Sequence, residues 1–150
     1  MKKCYINGVA AIAAQNYREV KFTENNTPLT EFLNYADEPN YKEFLSASSL
    51  RRMSKAVKMG LFTAQKALKS SEVSEIEAII TGTGLGCLAD SEKFLANLIQ
   101  NDEEFLTPTA FIQSTHNTVA AQIALHLHCN AYNFTYVNLS LIHISEPTRR

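Results

Sequence analysis

The sequence is poor in cysteine: Cys4, Cys87 and Cys129 are far apart and odd in number. No C-x-x-C pair occurs, and no Cys/His spacing suits zinc, so neither a disulfide framework nor a zinc ribbon is expected. A reduced, cytoplasmic setting fits this usage best. Charge excess is lacking too: 14 Lys+Arg stand against 15 Asp+Glu, a net charge of -1. That leaves no electrostatic footprint for nucleic acid or an anionic membrane. The two signs are mixed along the chain, so no acidic or basic arm is predicted.

Long apolar runs are missing as well, none approaching the roughly 18 residues of a membrane span. The opening MKKCYINGVAAIAAQ has lysines ahead of an apolar stretch, but Asn7 and Gly8 interrupt it, unlike a secretory signal. What remains is ample for a globular core: 45% of the 150 residues are hydrophobic, enough for one ordinary domain.

Residues 4–13 read as a buried first strand turning into a loop, followed by a polar excursion over 15–47 with a short helix at Thr30–Tyr35. Ser48 or Ser49 then caps a helix whose Leu50, Met53, Val57, Leu61, Ala64 and Leu68 form one apolar stripe. Arg52, Lys55, Lys66 and Lys69 fall on its solvated face. Ile76–Thr83 reads as a central strand centred on Ile79 and Ile80, ending in a glycine turn. The next helix, capped by Asp90, buries Phe94, Leu95, Leu98 and Ile99. Thr107-Pro108 marks an extended loop. Another helix from Ser114 or Thr115 turns Val119, Ala120, Ile123, Ala124 and Leu127 to one side. Tyr132–Val137 alternates and is rich in β-formers, a strand. The order implies an α/β domain.

Several chemistries can be tested against these residues. TGTGLG follows a strand, yet its G-x-G-x-G spacing at Gly82, Gly84 and Gly86 lacks the last x-x-G of a dinucleotide site. With the helix placed at Asp90, a tight strand-end turn explains these glycines better. No phosphate-binding G-x-x-x-x-G-K-[ST] is present. His126 and His128, two apart on a helix, would point roughly 200° away from each other. No carboxylate is spaced to complete a metal site with His116. Cys87 and Cys129 lack a clear helix N-terminus or cationic neighbour, so they read as structural thiols.

Three segments in order resemble the first part of a β-ketoacyl synthase: RRMSKAVKMGLFTAQKAL (Arg51–Leu68), IEAIITGTGLGCLADSEKFLANL (Ile76–Leu98) and TPTAFIQSTHNTVAAQIALHLHCNAYNFTYVN (Thr107–Asn138). The resemblance implies the N-terminal half of a thiolase-like αβαβα layered fold, truncated, over residues 1–138. It implies a parent acyltransferase that condenses an acyl group, held on an active-site cysteine, with a malonyl unit on acyl carrier protein. Two His, or His and Asn, promote decarboxylation, and backbone N–H groups form an oxyanion hole. No cofactor or metal is called for. The nucleophile falls just beyond Asn138, so no catalytic residue is assigned within the chain. Phe111, Thr115, His116 and Asn117 match the region lining the family's acyl pocket near the dimer interface. His116 stands where many members carry an apolar residue, and a helix-capping role is its alternative.

The tail LSLIHISEPTRR (Leu139–Arg150) resembles a translated transposon-derived sequencing adapter and is read as non-native. The expected partners are acyl carrier protein and a second subunit, as a homodimer or a ketosynthase heterodimer, without nucleic acid or a membrane span. The sequence departs from the family in Q-S-T-H-N (113–117) and in Asn130-Ala131-Tyr132, where a Gly-Pro pair is usual. Such divergence suits a specialised pathway, for example one making polyene or pigment chains. The alternatives are a cysteine-less chain-length-factor partner and, further off, an unrelated nucleotide-binding α/β module.

Overall fold

The structure is a computed structural model and describes residues 3–13, 35–71 and 73–137. Its framework follows from two strands, each rich in residues that favour extended backbone. β1 (Ala78–Thr83) and β2 (Tyr132–Val137) pair in parallel, with Ala78 opposite Tyr132 and Thr83 opposite Val137. β2 keeps the bounds its alternation predicts, while β1 starts two residues later than the apolar run.

Because side chains alternate across a strand, Ile79, Thr81 and Thr83 share one face of the sheet with Asn133, Thr135 and Val137. That face is covered by helix, and Asn133 Nδ2 donates to the Ala120 carbonyl at 3.1 Å. Among the described residues nothing covers the other face: Ile80, Tyr132, Phe134 and Tyr136 are exposed, Ile80 by 63%. Ile80 therefore departs from its predicted burial, because a parallel strand buries both faces only when helices cover both. On this face Phe134 lies 4.7 Å from Tyr136, ring centre to ring centre.

The helix predicted from Ser48 or Ser49 is two helices, α1 (Ala47–Arg52) and α2 (Lys55–Ser71). Ser46 is the cap, its hydroxyl accepting the Ser49 N–H at 3.3 Å, and the Ser48 and Ser49 hydroxyls pair back to it. Met53 is extended (φ -96, ψ 140), which breaks the helix. The break is supported from outside the segment, since Gln113 Nε2 donates to the Arg52 carbonyl. The apolar stripe is as predicted: Val57 and Leu61 are buried and pack with Leu45, Ile79, Ala120 and Ile123 as the core.

α3 (Leu88–Gln100) begins two residues before Asp90, which sits in its first turn, where a carboxylate favours the helix dipole. Its predicted buried side is half-covered at Phe94 and Leu98, but Leu95 and Ile99 are exposed. Thr107-Pro108 opens a helix missing from the sequence reading, α4 (Pro108–Ser114), with the Thr107 hydroxyl accepting from Ala110 N–H. The helix predicted from Ser114 or Thr115 starts later, as α5 (Thr118–His126). α5 ends in a Schellman turn: His128 has φ 50, and the Cys129 N–H donates to the Ala124 carbonyl at 2.9 Å.

α5 lies between α2 and the sheet. Gly60 of α2 allows the closest approach, because a Cβ there would stand 2.5 Å from Val119 Cγ1. Residues 4–13 are not a strand. They make no ladder with β1 or β2, and Tyr5, Ile6 and Val9 are exposed. Gly8 instead lies against the end of α2, where a Cβ would collide with the Ala67 carbonyl. An apolar run signals a tendency to be buried, and here no third strand among the described residues accepts it. The helix predicted at Thr30–Tyr35 lies outside the described residues except for Tyr35, which is not helical.

Candidate functional site

β1 ends in a turn through Gly84, Leu85 and Gly86 that leads directly into α3. Gly86 has φ +61, a left-handed conformation that costs most side chains of the order of 1 kcal/mol. Its N–H donates to Thr83 Oγ1 at 2.8 Å, closing the turn. The space a side chain would take is filled by His116: a Cβ on Gly86 would stand 2.5 Å from the imidazole Cδ2. A second tie runs alongside, from Ser91 Oγ in α3 to the Ser114 carbonyl at 2.8 Å. Together they fix the α4–α5 link against the glycine turn.

Beneath the turn lies a crevice of about 470 Å³, between the carboxyl end of β1, α2 and α5. Thr81, Thr83, Gly86, Cys87, His116 and Val119 are among its lining residues. The carboxyl ends of parallel strands are where α/β folds commonly place their ligands. Cys87 occupies the N-cap position of α3, which the sequence reading did not anticipate because it started that helix at Asp90. The position does not activate the thiol. Cys87 is buried, and burial, followed by the Asp90 carboxylate, pushes its pKa above the ordinary thiol value. It is a protonated wall group.

The four residues matched to an acyl pocket are dispersed. His116 lines the crevice. Phe111 is 57% exposed and packs edge-on against Phe94 at 5.8 Å. The Thr115 hydroxyl donates to the Ile112 carbonyl at 2.9 Å and meets Thr118 Oγ1 at 2.9 Å, so it fastens the α4–α5 link. Asn117 is the exposed N-cap of α5 and makes no capping hydrogen bond with its side chain. His126 ends α5, and His128 lies beyond it in the turn, not on the helix as predicted. Among the described residues no cluster of His, Cys, Asp and Glu could hold a metal ion.

A second crevice, about 490 Å³, has no counterpart in the sequence reading. It opens between α1–α2 and α4–α5, where Ser49, Arg52, Gln113, Thr118 and Gln122 contribute polar groups. Its polar lining comes from separate helices, so no local pattern announces it.

The family model described as "Beta-ketoacyl synthase, N-terminal domain" matches residues 7–138. Among solved structures, the chain is similar to one from the ketosynthase ApeO in complex with its chain length factor ApeC from Xenorhabdus doucetiae. That match has a TM-score of 0.55 at 19% identity and covers 75% of this chain and 49% of the other. A crystal structure of a β-ketoacyl synthase from Burkholderia phymatum STM815 matches with a TM-score of 0.45 at 14% identity, over 90% of this chain and 33% of that one. The chain thus spans about half the length of the first of these and a third of the second. No curated protein sequence matches it. The mixed helical and parallel-strand architecture agrees with a ketosynthase of thiolase-like fold. On the match over residues 7–138, the chain belongs to the β-ketoacyl synthase family, in its N-terminal domain.

Proposed function

We propose that the chain is part of a β-ketoacyl-[acyl carrier protein] synthase that extends acyl chains by decarboxylative condensation. The family match over residues 7–138 carries this reading. In the reaction, a cysteine thiol displaces the carrier's thiol and takes the acyl group as a thioester. The malonyl thioester then loses carbon dioxide, and the enolate so formed attacks the acyl carbonyl. A carbon–carbon bond forms, the cysteine leaves as thiolate, and a β-ketoacyl thioester remains on the carrier. The nucleophile belongs just beyond Asn138, and Leu139–Arg150 is a non-native tail. The 150-residue chain itself is then inactive. The parent works in the cytoplasm with acyl carrier protein, in fatty-acid or polyketide-type synthesis. Among the described residues no helix is long and apolar enough to cross a membrane.

A second reading has an observation behind it, because one similar structure is a complex of a ketosynthase with its chain length factor. Here the parent is the cysteine-less partner of such a pair. Reading the gene through codon 138 in its own genome separates the two: a cysteine codon supports the synthase, any other residue the partner. Assay of the intact protein with an acyl thioester and malonyl carrier completes the test, and an active preparation excludes the partner reading.

A further inference from the structure

β2 ends at Val137, and the ketosynthase reading puts the nucleophile just beyond Asn138. Where β2 sits against β1 therefore sets where that nucleophile stands. Hydrophobic patterning does little to fix this register. The helix-covered face of β2 presents Asn133, Thr135 and Val137, and the opposite face Tyr132, Phe134 and Tyr136. A slip of one residue would exchange the two sets, and the aromatic rings oppose it. A slip of two residues keeps every aromatic on its own face, yet displaces the end of the strand by about 6.6 Å.

Polar ties distinguish the registers instead. At the entry to β2, Cys129 Sγ donates to the Ile76 carbonyl at 3.6 Å, a weak tie. Asn133 Nδ2 donates to the Ala120 carbonyl of α5 at 3.1 Å. Thr135 Oγ1 lies 2.9 Å from Thr81 Oγ1, its direct neighbour in the ladder. Moving Thr135 two residues along β1 sets its hydroxyl against Ile79, which offers no partner. The opposite slip sets it against Thr83, whose oxygen already accepts the Gly86 N–H. A half-buried hydroxyl without its partner is unfavourable, so both slips are resisted. Thr135 is also the last of these ties, since Tyr136 and Val137 beyond it are exposed.

We propose that Thr135, through its hydroxyl pair with Thr81, is a positioning residue that fixes the carboxyl end of β2 and so the nucleophile that follows it. The proposal rests on the ketosynthase reading and deepens it. Attack on a thioester tolerates little displacement, and a misplacement of about 1 Å can cost of the order of a hundredfold in rate.

The test uses the intact parent protein and a carrier protein loaded with an octanoyl group. In the step followed, the cysteine thiol attacks the thioester carbonyl, the carrier's thiol leaves, and the acyl group stays on the enzyme. Quenched samples over a range of carrier concentrations give the maximal acylation rate and the half-saturating concentration. Thr135→Val should lower the maximal rate by roughly three- to tenfold, the worth of one neutral hydrogen bond, with half-saturation unchanged. Thr81→Val removes the same bond from the other strand and should do the same, and the double variant should be little slower than either. Thr135→Ser keeps the hydroxyl and should retain most of the rate. Rates are referred to the folded fraction read from denaturation curves. A folded Thr135→Val or Thr81→Val variant with the parent's rate overturns the proposal, as does a Thr135→Ser variant as slow as Thr135→Val, and both leave the ketosynthase reading standing. A folded parent that takes up no acyl group overturns that reading, and the proposal with it.

Discussion

Thr81 and Thr135 meet side by side across the two parallel strands, their hydroxyl oxygens 2.9 Å apart. They face α5 and α2, away from the aromatic side of the sheet, so the pair pins the register from the inside. Replacing either by valine strands the other hydroxyl in a half-buried site. We expect each single change to cost about 1 kcal/mol, and the double change distinctly less than the sum. Urea denaturation of the intact parent and its three variants measures this, and strict additivity would show that the pair does not interact.

The contact between His116 and Gly86 yields a second cycle. Gly86→Ala meets both a left-handed backbone, φ +61, and the imidazole, so it should destabilise by about 2 kcal/mol or more. Adding His116→Ala removes the collision and leaves the backbone cost of about 1 kcal/mol. The double variant should therefore be more stable than Gly86→Ala alone, as read from denaturation midpoints.

Thiol chemistry should divide the cysteines. Cys4 is exposed, whereas Cys87 is buried, with its pKa raised by burial and by Asp90. A soluble thiol reagent near neutral pH should label Cys4 at once and Cys87 only as the protein unfolds. Mass mapping of the labelled peptides over time checks this order, and early labelling of Cys87 would contradict its placement in the crevice wall.

Alkaline pH should weaken the packing of residues 35–45 on α2. Tyr41 packs edge-on against Phe62 at 5.8 Å, and its buried hydroxyl lies beside the Glu38 carboxylate. Burial first, and the Glu38 carboxylate second, push its pKa to about 12 from 10.0. A raised folded pKa means that the neutral form is favoured in the native state. The stabilisation is complete below the unfolded value near 10 and is lost as pH climbs towards 12. Denaturation across that window should show a steeper loss in the parent than in Tyr41→Phe. Equal slopes would remove Tyr41 from the account.

How much of this the sequence reveals depends on the reach of each signal. Tyr132–Val137 announces β2 because alternating β-formers act locally, and the Val57–Leu61 stripe announces α2 in the same way. The break at Met53 is supported by Gln113, distant in the chain, and no local pattern carries it. α4 does have a local signal, since Thr107-Pro108 is a cap followed by proline in the first turn, but the same pair also suits an extended loop. α3 lacks a side-chain cap bond at Cys87, so its true start was hidden behind the more familiar Asp90. Cys4–Ala13 shows that apolar character alone does not make a strand when no partner strand takes it. At the site, family likeness pointed to His116, while its partner Gly86 and the crevice below follow only from tertiary packing.

The most direct test of the central claim is condensation by the intact parent protein, encoded by the gene read through codon 138 in its own genome. Purified with an acyl thioester and a malonyl-loaded carrier protein, it should release carbon dioxide, form a β-ketoacyl carrier, and trap the acyl group on a cysteine just beyond Asn138. A folded parent that carries that cysteine yet forms neither the acyl-enzyme nor the condensed product would contradict the account.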